Sequence, residues 1–515
     1  MRHLLTLLLL LLVLPTLRTH AQSAAQLAPA NTQVLVEISD LADWFDALTQ
    51  GPEGQWIREQ LDTDPQWAGL MALLDMDTDT FIQAYFGGDV VIFGTSLDDD
   101  APGVTFTQVD AAHTQLVRER LFLEPLEQVG PAMLYLTADG GGVIAIFDGW
   151  IGMCDLESLD YLKQVLAHEG PSLVDTPAYT YWTGLLPEDR AATVFFSESA
   201  EESHVISAAR TEHGVDISYF GKSDSYLEIV TTLGQATAVG FGPLPAETLA
   251  AISVNFSVSD EIVDEIDDEM AAVLEMLAAP ASFSDDIVTK LGSPMVLFVS
   301  SVPGDQVEPN IDHDVSVAGI AIKLDDESVA ADLQRMLDNT MLIANLATTQ
   351  WQVGPIRMTQ GDYQASSYRV AHVGKLIAQY TGQPEIEAIQ LVYGQVDDYY
   401  VVCTQEAYFR QCVDAVADDR RVQLQLEGSA GELATRPIFA AIVHPEGFAR
   451  MLQSWPTLIG NEELLGDLAQ EIDSPELAEL AEVIDLLGLF DSVKMQLWEG
   501  QDDLIIGRFE LTLPF

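Results

Sequence analysis

The chain has 515 residues, of which 81 are acidic and 22 basic, for a formal net charge of −59, and 48% of it is hydrophobic. A surface of that sign repels phosphate backbones and anionic membranes, which argues against nucleic-acid binding. The apolar content excludes a disordered chain, and the length suits about two to four domains with proper cores.

The chain opens with a short positive start, Met1-Arg2-His3, and an apolar run from Leu4 to Leu14 broken only by Thr6. Pro15 ends the run, and Thr19-His20-Ala21 offers small residues to a signal peptidase. This pattern predicts a secretory signal peptide over residues 1–21 and an exported mature protein, periplasmic or extracellular. The run is shorter than the roughly 20 residues that span a bilayer, and no later stretch is long and apolar enough to cross as a helix. Without Arg2 and Arg18 the charge of −59 becomes −61. Such a chain repels its own copies and is expected to be monomeric and steadied by salt.

Val34, Val36 and Ile38 alternate with polar residues and predict a strand after Pro29-Ala30-Asn31-Thr32. Asp40 then caps a helix carrying Leu41, Trp44, Phe45 and Leu48, which Gly51-Pro52 breaks. Helical pieces follow around Trp56, Ile57 and Leu61, and then around Trp67, Leu70, Leu73 and Leu74. Gly87-Gly88-Asp89 turns into a buried strand from Val90 to Phe93. Asp98 to Gly103 is a solvated loop, Val104 to Val109 is a strand, and Asp110 caps the next helix. Asp148 to Ala167 reads as turn, strand, cap and helix, and Val205 to Lys222 as a hairpin about Glu212-His213-Gly214.

The same order then recurs. Pro245-Ala246-Glu247-Thr248 precedes a strand through Ile252, Val254 and Phe256, and an acidic helix runs from Asp260 to Leu277. Gly292 turns into Met295 to Val299, and a strand from Val315 to Leu324 ends at Asp325. Asp397 to Ala417 repeats the unit at Asp148, with Asp397, Tyr399, Cys403 and Glu406 answering Asp148, Trp150, Cys154 and Glu157. Matched positions lie 216 residues apart at the opening, 205 at the glycine turn, 215 at the aspartate and 249 at the cysteine. The jump places an insertion at about 339–389, and Pro177 before Tyr179 pairs with Pro437 before Phe439. Ordered matches of this kind indicate a duplicated domain. The expected fold is α+β, with two tandem related domains at 22–243 and 244–515. Each is a mixed, largely antiparallel sheet with helices to one side.

Chemistry is harder to find. Asp75, Asp77 and Asp79 follow the start of a calcium loop, but Thr80 stands where glycine is needed and Phe86 where a bidentate carboxylate is needed. They are weak metal candidates, and an acidic turn between helices is the better reading. Gly221-Lys222-Ser223 lacks the leading glycine of a phosphate loop, since position 216 is Asp216. Gly140-Gly141-Gly142 precedes a strand, the wrong order for a dinucleotide fingerprint. No histidine after the signal is paired at helical metal spacing. No catalytic residue stands out and no cofactor is expected. Three cysteines cannot make a disulfide framework and read as buried small hydrophobes.

The Pro-Ala-x-Thr opening, the glycine turn before an apolar strand, and the strand, cap and helix after Cys154 and Cys403 resemble a group of uncharacterised exported bacterial proteins. That group is of planctomycete type and known only as a domain of unknown function. The resemblance implies an exported two-part α+β protein and brings no catalytic residues with it. The expected role is a non-catalytic envelope or secreted protein that binds or scaffolds an unknown small-molecule or protein ligand. The alternatives are an exported hydrolase with an acid pair, or a carrier of an apolar ligand in a groove between the repeats. The terminal alternation of Phe509, Leu511, Leu513 and Phe515 also resembles the closing strand of an outer-membrane barrel. Interruption by amphipathic helices around Trp44, Met270, Leu333 and Leu480 opposes a barrel wall. The hairpin from Val493 to Leu513 is expected to serve the core of the second copy.

Overall fold

The computed structural model describes residues 24–512 except 40, 50–57, 59–60, 97–100, 122, 139, 148, 168–169, 189, 198–202, 212–213, 223–239, 256–289, 310, 312, 351–354, 382–386, 423–433, 446, 449–489 and 501–503. The signal peptide, the Asp40 cap, Trp56 and Ile57, the Asp98 loop, Asp148, the acidic helix from Asp260, the helix at Leu480 and the end at Phe515 lie outside the described residues. The chain divides into two compact units. Unit 1 is Met1–Asp224, Glu427–Ala434 and Gly500–Phe515, and unit 2 is Ser225–Leu426 and Thr435–Glu499. Both mix helices with antiparallel strands.

In unit 1, β1 (Val34–Ile38) leads to α1 (Leu41–Thr49), α2 (Pro65–Leu74) and α3 (Thr78–Phe86). Then come β2 (Val90–Gly94), β3 (Gly103–Gln108), α4 (Ala111–Arg120), β4 (Glu124–Val129), β5 (Ala132–Leu136), β6 (Gly142–Phe147) and β7 (Trp150–Asp155). After a 3-10 turn follow α5 (Leu159–Leu166), α6 (Pro177–Thr183), β8 (Ala192–Ser197), β9 (Ser203–Thr211) and β10 (Gly214–Gly221). The pairings give the order β4-β5-β6-β7-β3-β2-β1-β8-β9-β10, all antiparallel. Alternation sends successive side chains to opposite faces. Ile144 and Ile146 of β6 and Ile151 of β7 pack against Met71, Leu74, Phe81, Ile82 and Tyr85 of α2 and α3. Asp110 caps α4 as its position predicts, accepting from the His113 amide at 2.9 Å.

In unit 2, β11 (Ala250–Val254), β12 (Leu291–Val302), α7 (Gly304–Val307), β13 (Val315–Leu324) and the long α8 (Val329–Gln350) come first. Then follow β14 (Arg357–Tyr363), β15 (Ser366–His372), α9 (Gly374–Thr381), β16 (Leu391–Val396), β17 (Tyr399–Cys403), α10 (Glu406–Ala417), β18 (Ala434–Val443) and β19 (Ser492–Gly500). The order of the paired strands is β14-β15-β16-β17-β13-β12-β11-β18. Strand for strand this is the order of unit 1 from β4 to β8.

Registers agree as well. Val36 faces Ile92 in unit 1, and Ile252 faces Leu297 in unit 2. Thr105 faces Met153, and Ile320 faces Val402. Val143 faces Cys154, and Val392 faces Cys403. The two Pro-Ala-x-Thr phrases fold alike: Thr32 N donates to Pro29 O, and Thr248 N donates to Pro245 O. Pro29 bridges Ser172, and Pro245 bridges Arg421.

Two sequence matches fail. Pro177 opens helix α6, whereas Pro437 lies within strand β18. Their likeness was a Pro-aromatic step shared by chance. Glu157 sits in the 3-10 turn before α5, whereas Glu406 is the first residue of α10. The extra 3-10 residues shift the helix by two positions, so the N-caps Ser158 and Gln405 are the ones that correspond. The helices differ in length: α8 has 22 residues against 10 in α4, and α9 occupies the connection between β15 and β16.

The helices of unit 2 do not lie to one side. Tyr399, Val401 and Cys403 of β17 pack with Tyr408, Phe409, Cys412 and Val413 of α10. Tyr400 and Val402, on the other face of the same strand, pack with Val329, Leu333, Met336 and Leu337 of α8. A strand buried on both faces reads as a continuous apolar run, which Tyr399 to Cys403 is.

The last strand also has a different home. β20 (Ile505–Thr512) belongs to unit 1, where it extends the sheet from β10 over eight antiparallel residue pairs, Gly214↔Thr512 to Gly221↔Ile505. Phe509 and Leu511 face Ile217 and Val215. Their alternation therefore serves the first unit, not the second. A Cβ at Gly214 would strike the Leu511 carbonyl, so the close approach needs glycine there.

All three cysteines are free thiols, with Cys403 and Cys412 buried. Burial pushes the Cys403 thiol up to about 12 from an ordinary 9.0, and burial with the charge of Asp155 pushes Cys154 up to about 11. The neutral thiols thus contribute stability below the unfolded value, and it is lost as pH rises through 9.0 toward the folded values. A thiol reagent at about pH 8 is expected to leave Cys403 and Cys412 unmodified until denaturant is added. The melting temperature should fall as the pH is raised further. Rapid labelling of Cys403 in the native protein would contradict this packing.

Candidate functional site

α10 carries two opposed stripes. Tyr408, Phe409, Cys412 and Val413 enter the core, and Glu406, Arg410 and Asp414, spaced four apart, share another face. That second stripe meets the hairpin of β14 and β15. Tyr363 Oη donates to the Asp414 carboxylate at 3.0 and 3.1 Å, and Gln364 Nε2 donates to it at 2.6 Å. Gln364 occupies the left-handed region at φ 50°, a turn position that favours glycine, and its side-chain bond to Asp414 gives it a reason to be there.

Tyr368 is the second link. Its hydroxyl donates to Glu406 Oε1 at 2.6 Å and accepts from Arg410 Nε at 3.1 Å, while Arg410 Nη2 donates to Glu406 Oε1 at 2.5 Å. Burial, and then the bond to Glu406, raise the Tyr368 phenol, so it stays protonated and keeps donating. The bond from Arg410 to Tyr368 raises the guanidinium in turn and holds it charged. The Arg410 guanidinium also lies 5.4 Å from the Tyr363 ring centroid. Tyr368 fits because it sits between two glycines, Gly361 on β14 and Gly394 on β16, where a Cβ would collide with it.

Beside this network is a cavity of about 400 Å³ lined by Gln306, Val307, Tyr363, Gln390, Gln405, Glu406, Ala407, Arg410, Gln411 and Asp414. Its volume falls among those of small-molecule sites, about 300–1,000 Å³. Gln390 Oε1 accepts from the Glu406 amide at 3.1 Å, and Gln411 Nε2 donates to Gln306 Oε1 at 3.4 Å. Gln405 is only 1% exposed; its Nε2 donates to Ala388 O at 3.2 Å, and its Oε1 has no partner. A buried acceptor left bare is costly, about 1–3 kcal/mol, and Oε1 is closed off from solvent as well as from partners.

The arrangement suits binding better than nucleophilic chemistry. Among the described residues the cavity lining contains no serine, cysteine or histidine. Glu406 and Asp414 stand two turns apart, about 12 Å along the helix axis, while glycosidase carboxyl pairs are separated by about 5–9.5 Å. A smaller cavity of about 360 Å³ in unit 1 is lined by Thr105, Thr137, Met153, Cys154 and Asp155 among others, and its raised thiol is a poor nucleophile.

The metal candidates lie elsewhere in unit 1 and do not converge. Asp77 caps α3, accepting from the Thr80 amide at 2.7 Å, and the Thr80 hydroxyl and then that amide hold its carboxyl below the ordinary range. Asp79 pairs with Arg58, and Asp75, at φ 58°, stands 4.0 Å from Arg120. Among the described residues no group of three His, Cys, Asp or Glu is placed to hold a metal ion. Sequence reasoning singled out Glu406, for a match that fails, and missed the rest of the site. The readable signal was the spacing of Glu406, Arg410 and Asp414 on one helix face.

No family model and no curated protein matches the chain. Two solved structures are similar in part, crystal forms IV and I of TP0453. Each is 7% identical, with TM-scores of 0.25 and 0.24, covering 42% and 43% of this chain and 90% of that one. A likeness this loose carries no argument about function. Among the described residues no helix is long and apolar enough to cross a membrane.

Proposed function

We propose that the chain is an exported, non-catalytic binding protein built from two copies of one domain, with a small polar ligand held in the cavity beside α10. The observation that carries the binding role is a cavity of about 400 Å³ walled by side-chain amides with ends left to offer, Gln390 being engaged through Oε1 and Gln411 through Nε2. The duplication is supported by the shared strand order and by matching registers. It is supported further by one tertiary pair. Tyr408 Oη and Thr248 Oγ1 lie 2.8 Å apart in unit 2. In unit 1 Tyr161 stands toward Thr32, although Thr32 Oγ1 completes no hydrogen bond there. Export rests on the signal-like residues 1–21, and the resemblance to planctomycete-type exported proteins agrees with it.

The copies have diverged at the site. The positions of Tyr363 and Tyr368 on β14 and β15 are filled by Val129 and Leu134 on β4 and β5, so the network belongs to unit 2. A screen of small polar compounds by ligand-observed NMR on the mature chain tests the reading. Hits are expected, and Arg410→Ala should abolish them while the circular dichroism spectrum stays unchanged. Hits that persist in that variant would move the site away from α10.

A further inference from the structure

We propose that the ligand of this cavity is a neutral, hydroxyl-rich molecule of saccharide or polyol type, an inference that rests on the binding reading above. The charges at the site are already committed to one another. Arg410, the only cation among the described lining residues, bonds Glu406, and Asp414 is held by Tyr363 and Gln364. An anion would find no free counterion and would meet the field of a chain with net charge −59. A cation would have to draw Asp414 away from two donors that hold it.

What remains on offer is amide. Gln306, Gln390, Gln405 and Gln411 line the space, and each side-chain amide carries a donor end and an acceptor end. The ends left over are of both kinds: Gln411 engages through Nε2 and leaves its Oε1 to accept, and Gln390 engages through Oε1 and leaves its NH₂ to offer. A hydroxyl answers both with one group, since it donates one hydrogen and accepts on two lone pairs. Among the described lining residues only Val307 and Ala407 are aliphatic, too little for a ligand recognised by greasy contact.

The test is calorimetric titration of the mature full-length chain with three panels: neutral mono- and disaccharides with polyols, amino acids with dicarboxylates, and diamines. A neutral saccharide or polyol is expected to bind. Gln411→Ala, which removes the free acceptor at a half-buried helix position, should weaken it by about tenfold or more, because a site built around a hydrogen bond discriminates strongly when that bond is lost. Gln390→Leu, which removes the free donor, should weaken it as well. Binding of a dicarboxylate or a diamine with the same dependence on Gln411 and Gln390 would overturn the ligand class and leave the binding role standing. Saccharide binding that neither variant alters would overturn the site. No binding in any panel would overturn the binding role itself.

Discussion

A chain ended at Leu504 will lose the native state of unit 1. β20 contributes eight residue pairs to the edge of β10 and buries Ile505, Ile506 and Leu511. Three aliphatic side chains at about 1.5–3 kcal/mol each rival the whole stability of a domain, about 5–15 kcal/mol. The truncation also strands Asp216, which accepts from Arg508 Nε at 3.0 and 3.1 Å and from Arg508 Nη2 at 2.7 Å. It leaves the β10 edge open to other strands, so aggregation should follow. Arg508→Met is the milder companion: it keeps the strand and should cost about 2 kcal/mol, typical of hydrogen bonds to a charged group. Hydrogen exchange read by mass spectrometry gives the location. Protection should vanish first in Ser203–Thr211 and Gly214–Gly221, the strands of unit 1 nearest β20. Loss confined to Tyr399–Cys403 and Glu406–Ala417, with those two strands still protected, would return the tail to the second unit.

Replacing Phe409 by alanine should be the most damaging point change in unit 2. The side chain is fully buried, with its ring centroid 4.8 Å from that of Tyr368. Large-to-small changes of this kind cost about 3–5 kcal/mol through lost burial and the cavity left behind. The same ring supports Tyr368 from beneath, so Phe409→Ala should also abolish any ligand response of the α10 cavity. Tyr408→Phe is the graded control. It keeps the stack on Phe298, with centroids 5.2 Å apart, and removes the hydroxyl that bonds Thr248 and Ser300. Thr248 Oγ1 still donates to Pro245 O at 2.7 Å, so the loss should be about 1 kcal/mol. Chemical denaturation of both variants decides the matter. Equal midpoints would mean that α10 is not seated on the sheet through Phe409.

The local elements were legible in the sequence, and so was the recurrence of their order. Strand alternation, glycine turns and an aspartate at a helix start are properties of neighbouring residues. They placed the strand at Val34–Ile38, the strand at Val315–Leu324 and the Asp110 cap where the structure has them. Separations of 216, 205, 215 and 249 residues carried the pairing of Val36 with Ile92, and of Cys154 with Val143, into the second unit. Tertiary structure alone decided the rest. The alternation of Phe509 and Leu511 shows that one face is buried but not against what, and the answer lies 292 residues away at Asp216 and its strand. The run from Tyr399 to Cys403 is apolar throughout, and only packing assigns Val401 to α10 and Tyr400 to α8. The cavity is less legible still, since it joins Tyr368 to Glu406 across 38 residues and Gln364 to Asp414 across 50. Such contacts leave no period or spacing in the chain, because a side-chain hydrogen bond depends on where the backbone has been carried and not on what stands beside it in sequence.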